Sequence, residues 1–182
     1  MHYKPFVFII LIPLALVTFL GGCSSSEEQQ ANYLNRAQDQ YDAGDFKKAR
    51  LEIKNVFQIN RYNSPARYLL ALINMKNSDW RDAQKNLVLA IKYDPDFIDA
   101  RISLGGLYLS VYGSDENILE QADLVLAIDP GNADAHALRS SVFRRQGKDA
   151  DAVKEAQLGL NSVPGHVGAS TALAAVYIDE DP

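Results

Sequence analysis

The fold can be inferred from residues 64–97, SPARYLLALINMKNSDWRDAQKNLVLAIKYDPDF. Its first half carries apolar residues at helical spacing and ends at Ser78-Asp79. Its second half is amphipathic and ends at Asp94-Pro95, where the proline prevents a helix from continuing. The stretch therefore predicts two antiparallel helices joined by a tight turn.

The same pattern recurs before and after these residues with a period of 34 residues. Small residues mark one position of each first helix and one of each second helix, where only a small side chain lets two helices approach closely. On the first helices they are Ala37, Ala71, Gly105, Ser140 and Ala174, and on the second helices Ala49, Ala83 and Ala152.

The turns and the prolines follow the same period. Pro95, Pro130 and Pro164 recur at 35 and then 34 residues, so the third unit has one extra residue. The turn 112–115 is its simplest location. Glycine suits the left-handed position at the end of a first helix, and aspartate suits the N-cap of the next. We expect these roles for Gly44, Gly113 and Gly147, and for Asp45, Asp79 and Asp115.

This combination of residues resembles the tetratricopeptide repeat (TPR) family, from Ala31 to the end of the chain. The resemblance implies an all-α TPR solenoid of antiparallel helix pairs, wound as a right-handed superhelix, with repeats at about 31–62, 64–97, 98–132 and 133–166 and a half repeat at 167–182. Asn74, Arg61 and Ile118 depart from the family pattern and predict locally weaker packing. Because no second helix follows the half repeat, we expect the chain to be the N-terminal part of a longer repeat protein.

The N-terminus is predicted to be a targeting segment. Residues 1–22 combine a weakly basic start with an apolar run too short to span a membrane comfortably. The following Leu20-Gly21-Gly22-Cys23 resembles the lipobox of bacterial lipoproteins, which implies cleavage between Gly22 and Cys23 and acylation of Cys23. Residues 23–30 then read as a polar tether. Serine after the cysteine implies an outer-membrane location in such lipoproteins, facing the periplasm.

The composition argues against several kinds of function. The formal net charge of −5 does not suit nucleic-acid binding, and a single cysteine rules out an internal disulfide. His136 and His166 have no metal-ligand spacing and are predicted to be packing or surface residues. No motif of a nucleotide site or a catalytic triad is present. We therefore expect no enzymatic activity, no cofactor and no small-molecule substrate.

In the TPR family, function resides on the concave face that the first helices line. Part of this lining is open to another interpretation, in which neighbouring side chains or further repeats cover it. The subfamily that binds C-terminal carboxylates uses Lys and Asn where this chain has Leu34, Gln38, Tyr68 and Leu72, so that activity is not expected. The candidate peptide-binding residues are Leu34, Gln38, Tyr41, Tyr68, Leu72, Met75, Ile102, Leu109, Ala137, Ser141, Arg144 and Arg145.

These features predict a lipid-anchored adaptor that holds a protein partner in an envelope assembly. The stretches at residues 41–49 and 54–59 resemble TPR lipoproteins of exopolysaccharide export and the PEP-CTERM system, while pilus-assembly lipoproteins and peptidoglycan-hydrolase adaptors share the layout. Two alternatives remain at this point. The repeats could recruit substrates for a larger envelope enzyme whose catalytic part lies beyond residue 182, or they could be a structural spacer.

Overall fold

The structure is a computed structural model and describes residues 25–180. This part of the chain is all helical, and consecutive helices pack as antiparallel pairs into a solenoid, as predicted. The helices are α1 (Ser26–Asp42), α2 (Phe46–Ile59), α3 (Ser64–Lys76), α4 (Trp80–Tyr93), α5 (Ile98–Leu107), α6 (Asp115–Ile128), α7 (Ala133–Arg145), α8 (Asp149–Ser162) and α9 (Val167–Glu180).

Helix α1 begins earlier than expected. The Oγ of Ser25 accepts a hydrogen bond from the backbone N–H of Glu28 at 3.1 Å and caps the helix, so residues 26–30 are helical although the sequence predicted a tether there. The predicted signal segment and Cys23 lie outside the described residues. Within residues 25–180, none of the helices is long and apolar enough to span a membrane.

The tight turns form as the glycine positions predict. Gly147 takes a left-handed φ of 70°, its N–H donates to the Arg144 carbonyl, and the N–H of Lys148 donates to the Phe143 carbonyl, both at 2.9 Å. These two bonds satisfy carbonyls that the end of α7 would otherwise leave free. Ser78 occupies the equivalent position after α3 with a φ of 62°, which is a strained conformation for a residue with a Cβ.

Two of the three predicted N-cap residues, Asp45 and Asp79, stand at that position, and only Asp45 also caps its helix through the side chain. The Oδ1 of Asp45 accepts from the N–H of Lys48 at 3.0 Å. Asp79 stands at the cap of α4, but its side chain makes no capping bond. Asp115 is the first residue inside α6, and the cap is Ser114, whose Oγ accepts from the N–H of Asn117 at 3.4 Å.

The extra residue of the third repeat lies inside a helix, so the prediction that placed it in the turn 112–115 is wrong. After α5 the chain continues as a π-helical turn, Tyr108–Tyr112, and the N–H of Gly113 donates to the carbonyl of Tyr108 five residues earlier. A π-turn contains one residue more than the α-helical turn it replaces. The helix therefore absorbs the insertion before the connecting turn begins.

The small residues do bring the paired helices together. Ala37, Ala71 and Ser140 are fully buried, and the Ser140 Oγ donates to the carbonyl of Ala152 on α8 at 2.8 Å. Ala174 is the exception, because it is exposed although the period predicts close packing. No helix follows α9 in the described part of the chain, so nothing there packs against this face.

The third repeat packs in a different way, in line with the departure at Ile118. Ile118 is fully buried where the other second helices have alanine, and α5 pairs with α6 less closely than its counterparts pair. A Cβ on Gly105 would lie 2.7 Å from the Cδ1 of Leu138 on α7. The room left by this glycine is therefore taken by the following repeat.

A column of hydrogen-bond donors joins the repeats at one position of the first helices. The Arg101 guanidinium donates from Nε to the Pro95 carbonyl at 2.9 Å and from Nη1 to Oε1 of Gln121 at 3.1 Å. His136 stands in its place one repeat later, with Nε2 3.1 Å from the Pro130 carbonyl and Nδ1 2.8 Å from Oε2 of Glu155. His136 is thus a buried, hydrogen-bonded residue.

Candidate peptide-binding groove

A groove of about 450 Å³ lies between α5, α7 and α9 on the face formed by the first helices. We call it the α5–α7–α9 groove. Its lining residues are Ile102, Gly106, Leu109, Asp134, Ala137, Leu138, Ser141, Arg144, Gly168, Thr171, Ala172 and Ala175.

The lining follows directly from the repeat. On α5 and the π-turn after it, Ile102, Gly106 and Leu109 are spaced by four and three residues, and such residues share one face of a helix. The equivalent positions on the next two first helices, α7 and α9, follow from the 34-residue period, with one added residue at the π-turn. They become Ala137, Ser141 and Arg144 on α7, and Thr171 and Ala175 on α9.

The groove exists because small residues form much of its lining. A Cβ built on Gly106 would meet no atom within 4 Å, so the missing side chain leaves open space. Ala137 and Ala172 are buried beside it, whereas Ile102 and Leu109 are half-buried and pack against the core. A partner side chain could therefore lie on an apolar surface and displace water from it.

Charged groups stand at the two ends of α7. Asp134 lies in its first turn, with Oδ1 3.2 Å from Nε2 of His166, and Arg144 lies in its last turn. Ten residues separate them along the helix, which corresponds to about 15 Å. The His166 Nδ1 accepts from the N–H of Ala169 at 3.1 Å, so this histidine also holds the start of α9.

Five of the residues predicted to line the binding face do line this groove. They are Ile102, Leu109, Ala137, Ser141 and Arg144. Arg145 does not, because its guanidinium forms an ion pair with Asp115 of α6. Gln146 also donates to Oδ2 of Asp115 at 2.9 Å, and this hydrogen bond is the main reason that the pKa of Asp115 is lowered.

The predicted residues of the first two repeats are not part of the groove. Leu34, Tyr41, Tyr68 and Met75 are half-buried and pack against core clusters, each of which spans two consecutive repeats. The Tyr68 ring lies 5.1 Å from that of Phe97, and burial raises the pKa of Tyr68.

Tyr41 is in a similar environment, and burial raises its pKa as well. Leu72 is half-buried, whereas Gln38 is exposed and donates to Oδ1 of Asp42 at 2.9 Å. Neighbouring side chains thus cover much of this part of the face.

Several lining residues are absent from the predicted set, although the 34-residue period identifies three of them. Thr171 and Ala175 lie one repeat after Ala137 and Ser141, and Gly106 lies one repeat after Leu72. The period does not identify the remaining lining residues, because they are not equivalent to Ile102, Gly106 or Leu109. These residues are Asp134, Leu138, Gly168 and Ala172.

The groove offers binding surface with little reactive chemistry. The Ser141 hydroxyl donates to the carbonyl of Ala137 on its own helix at 2.9 Å. Among the described residues, no three His, Cys, Asp or Glu side chains come together as metal ligands. The polar groups at the groove can orient a bound segment, and the apolar lining can hold it.

Comparison with solved structures agrees with this architecture. MamA from Desulfovibrio magneticus RS-1 superposes with a TM-score of 0.70 at 16% identity, over 85% of this chain and 86% of that one. TTC0263, a thermophilic TPR protein of Thermus thermophilus, gives 0.68 at 20% identity over 84% and 83%. PilF of Pseudomonas aeruginosa gives 0.75 at 14% identity over 85% and 70%.

At these identities the similarity establishes the fold. No protein-family model matches the chain, and no curated protein matches it.

Proposed function

From the TPR solenoid fold, we propose that this chain is a protein-binding scaffold that holds a segment of a partner protein in the α5–α7–α9 groove. The observation that supports this most directly is the groove itself. It is an open apolar surface on three consecutive first helices, with polar groups at its ends. Solenoids use continuous faces of this kind to bind extended or helical segments of other proteins.

The size and polarity of the groove suit a short segment. A cavity of about 450 Å³ has room for a few side chains, and its small lining residues favour a partner with large apolar ones. Asp134 and Arg144 stand about 15 Å apart along α7, a distance that two to three turns of a helix would span. Opposite charges at the ends would set the direction in which the segment lies.

We further propose that the scaffold is anchored by lipid at Cys23 in a bacterial cell envelope and faces the periplasm, with the outer membrane as the preferred site. The lipobox-like residues 20–23 support this assignment. The partner would then belong to an envelope assembly such as exopolysaccharide export or pilus biogenesis. Labelling with radioactive palmitate, lost in Cys23→Ser, tests the anchor, and fractionation of the two membranes tests its location.

Filling the groove tests the binding proposal. Gly106→Leu adds a side chain where the structure has open space, and leucine favours the helix more than glycine does. Ala150→Leu makes a similar addition at an exposed position on α8 and is the matched control.

Each variant would be used to retain partners from detergent-solubilised envelopes, after its circular-dichroism spectrum is shown to match that of the native chain. We expect the native chain and Ala150→Leu to retain a common partner and Gly106→Leu to lose it. Equal recovery by all three proteins would contradict the groove assignment.

A further inference from the structure

The second helices form the outer face of the solenoid, and its first two repeats carry a patch of cations around two exposed apolar residues. Leu51 on α2 is 59% exposed, and Val88 on α4 is 45% exposed. The exposed cations around them are Lys47 and Lys54 on α2 and Arg81 and Lys85 on α4. We call these six residues the outer patch.

The outer patch is ordered by the repeat. Lys47 and Arg81 are 34 residues apart, as are Leu51 and Lys85, and Lys54 and Val88. The six residues therefore occupy three equivalent positions on two successive outer helices. A cleft of about 570 Å³ lies beside Leu51 and is lined also by Asp45, Lys47, Lys48, Arg50 and Lys54.

Within residues 25–180, none of the four cations of the patch forms an ion pair, although Lys47 is close enough to Asp45 to act on it electrostatically. In the described part of the chain, none of them has a carboxylate oxygen within 4.0 Å. By contrast, Lys48 pairs with Asp45 at 2.7 Å, and Arg50 lies 3.8 Å from Asp79. The ammonium and guanidinium groups of the patch can therefore approach an external anion without breaking an ion pair.

The third repeat reverses the charge at the same three positions. One repeat after Arg81, Lys85 and Val88, with the added residue at the π-turn, the chain has Glu116, Glu120 and Asp123 on α6. All three are exposed, and Asp123 pairs with Arg139 of α7 at 3.4 Å, whereas Glu116 and Glu120 form no ion pair in the described part of the chain. The outer face is therefore cationic and partly apolar at its beginning and anionic further along, although the whole chain has a formal net charge of −5.

The patch also lies on the two repeats that follow the proposed anchor. Helix α1 begins at Ser26, three residues after Cys23. Three residues of extended chain reach about 10 Å. This step rests on the proposed acylation of Cys23, which would hold the first repeat close to the bilayer surface.

We infer that the outer patch lies on the membrane that carries the anchor and binds anionic phospholipid headgroups, with Leu51 and Val88 in the interfacial layer. Lysine and arginine near an anionic bilayer are attracted to it, and their aliphatic stems lie along apolar surface. A cationic patch beside an acyl chain provides a second membrane-binding signal. Glu116, Glu120 and Asp123 are repelled by the same surface, so contact ends at the second repeat. The α5–α7–α9 groove, on the face of the first helices, then stays open to a partner.

A fluorescence experiment tests this placement. The acylated full-length protein, extracted from membranes, is added to vesicles of phosphatidylglycerol and phosphatidylcholine that contain brominated lipid, which quenches nearby tryptophan. Trp80 is the only tryptophan and is replaced by Phe, the residue at the equivalent position 46. Leu51→Trp then reports on the patch. Leu124→Trp reports on the acidic outer face of α6, where Leu124 is 39% exposed.

We expect quenching of the Leu51→Trp reporter, but little of the Leu124→Trp reporter. The quenching should fall in vesicles of phosphatidylcholine alone, in high salt, and when Lys47→Glu and Arg81→Glu are added. Flotation of the vesicles shows in each case whether the protein is attached.

Flotation with equal quenching at both positions would overturn the inference and leave the lipid anchor intact. Failure to float at high salt would overturn the anchor and the inference together. Quenching that does not depend on lipid charge would show that the cations do not hold the patch on the bilayer, and would also overturn the inference.

Discussion

Replacing His136 by alanine should destabilise the solenoid more than most single changes in this chain. The imidazole is buried between Oε2 of Glu155 at 2.8 Å and the Pro130 carbonyl at 3.1 Å. A hydrogen bond from the single imidazole N–H to the Glu155 carboxylate contributes about 1.5–3 kcal/mol. Glu155 keeps its ion pair with Arg139 at 3.1 Å, which limits the loss. We expect the free energy of unfolding to fall by about 1.5–3 kcal/mol.

His136→Arg provides the decisive comparison. Arg101 stands one repeat earlier in the same column of donors and binds a carbonyl and a side-chain oxygen at the same time. A neutral imidazole has one N–H, whereas a guanidinium has five. Arginine at position 136 should therefore serve both the Pro130 carbonyl and Glu155, and should cost less than about 1 kcal/mol.

The assay is urea unfolding followed by helical circular dichroism, with the free energy extrapolated to water. Ser170→Ala is the control, because Ser170 lies one repeat after His136 but is exposed on α9. A cost of His136→Ala no greater than that of Ser170→Ala would show that the buried imidazole does not stabilise the fold. Equal destabilisation by His136→Arg and His136→Ala would show that arginine cannot replace the imidazole at this position.

Three further outcomes follow from local geometry and can be measured by the same unfolding assay. Ser78→Gly should stabilise the chain by about 0.5–1 kcal/mol, because Ser78 has a φ of 62°. Gly106→Ala should stabilise it by up to about 1 kcal/mol, whereas Gly105→Ala should give less or none, since its Cβ would lie 2.7 Å from a terminal methyl of Leu138. In Asp115→Asn, the free energy of unfolding should decrease less between pH 5 and about pH 2 than it does in the native chain. The folded pKa of Asp115 lies below the ordinary value of 3.8, so its contribution is present above about pH 4 and is lost as the pH falls through the folded pKa. A pH series from 5 to about 2 would contradict this if both proteins lost stability in parallel.

The repeat architecture could be predicted from the sequence because several residue types share one period. The small residues at 37, 71 and 140, the turn glycines and the prolines all mark the same units, and the structure places helices and turns where they indicate. The exact location of the extra residue could not be predicted in this way. The spacing between Tyr108 and Pro130 gives only the number of residues. That number is the same for a longer turn and for a widened helical turn.

The binding face was harder to predict, because exposure depends on neighbours that a period does not describe. Tyr68 and Ile102 occupy equivalent positions, yet Tyr68 packs on Phe97 while Ile102 lines an open groove. The difference arises one turn away, where the position of Leu72 is held by Gly106 in the next repeat. Arg145 is predicted to line the binding face but does not, for a related reason: its ion-pair partner Asp115 belongs to a different helix.

The π-turn at Tyr108–Tyr112 lets the third repeat contain one more residue without a change in the orientation of the next repeat. The donor column continues from Arg101 to His136 although 35 residues separate them, because the widened turn takes up the difference before Gly113. Units of 34 and 35 residues can therefore be exchanged without rotating those that follow. For the construction of chimeric solenoids, this segment is a natural junction, since a unit grafted there can differ by one residue and still present its faces in line.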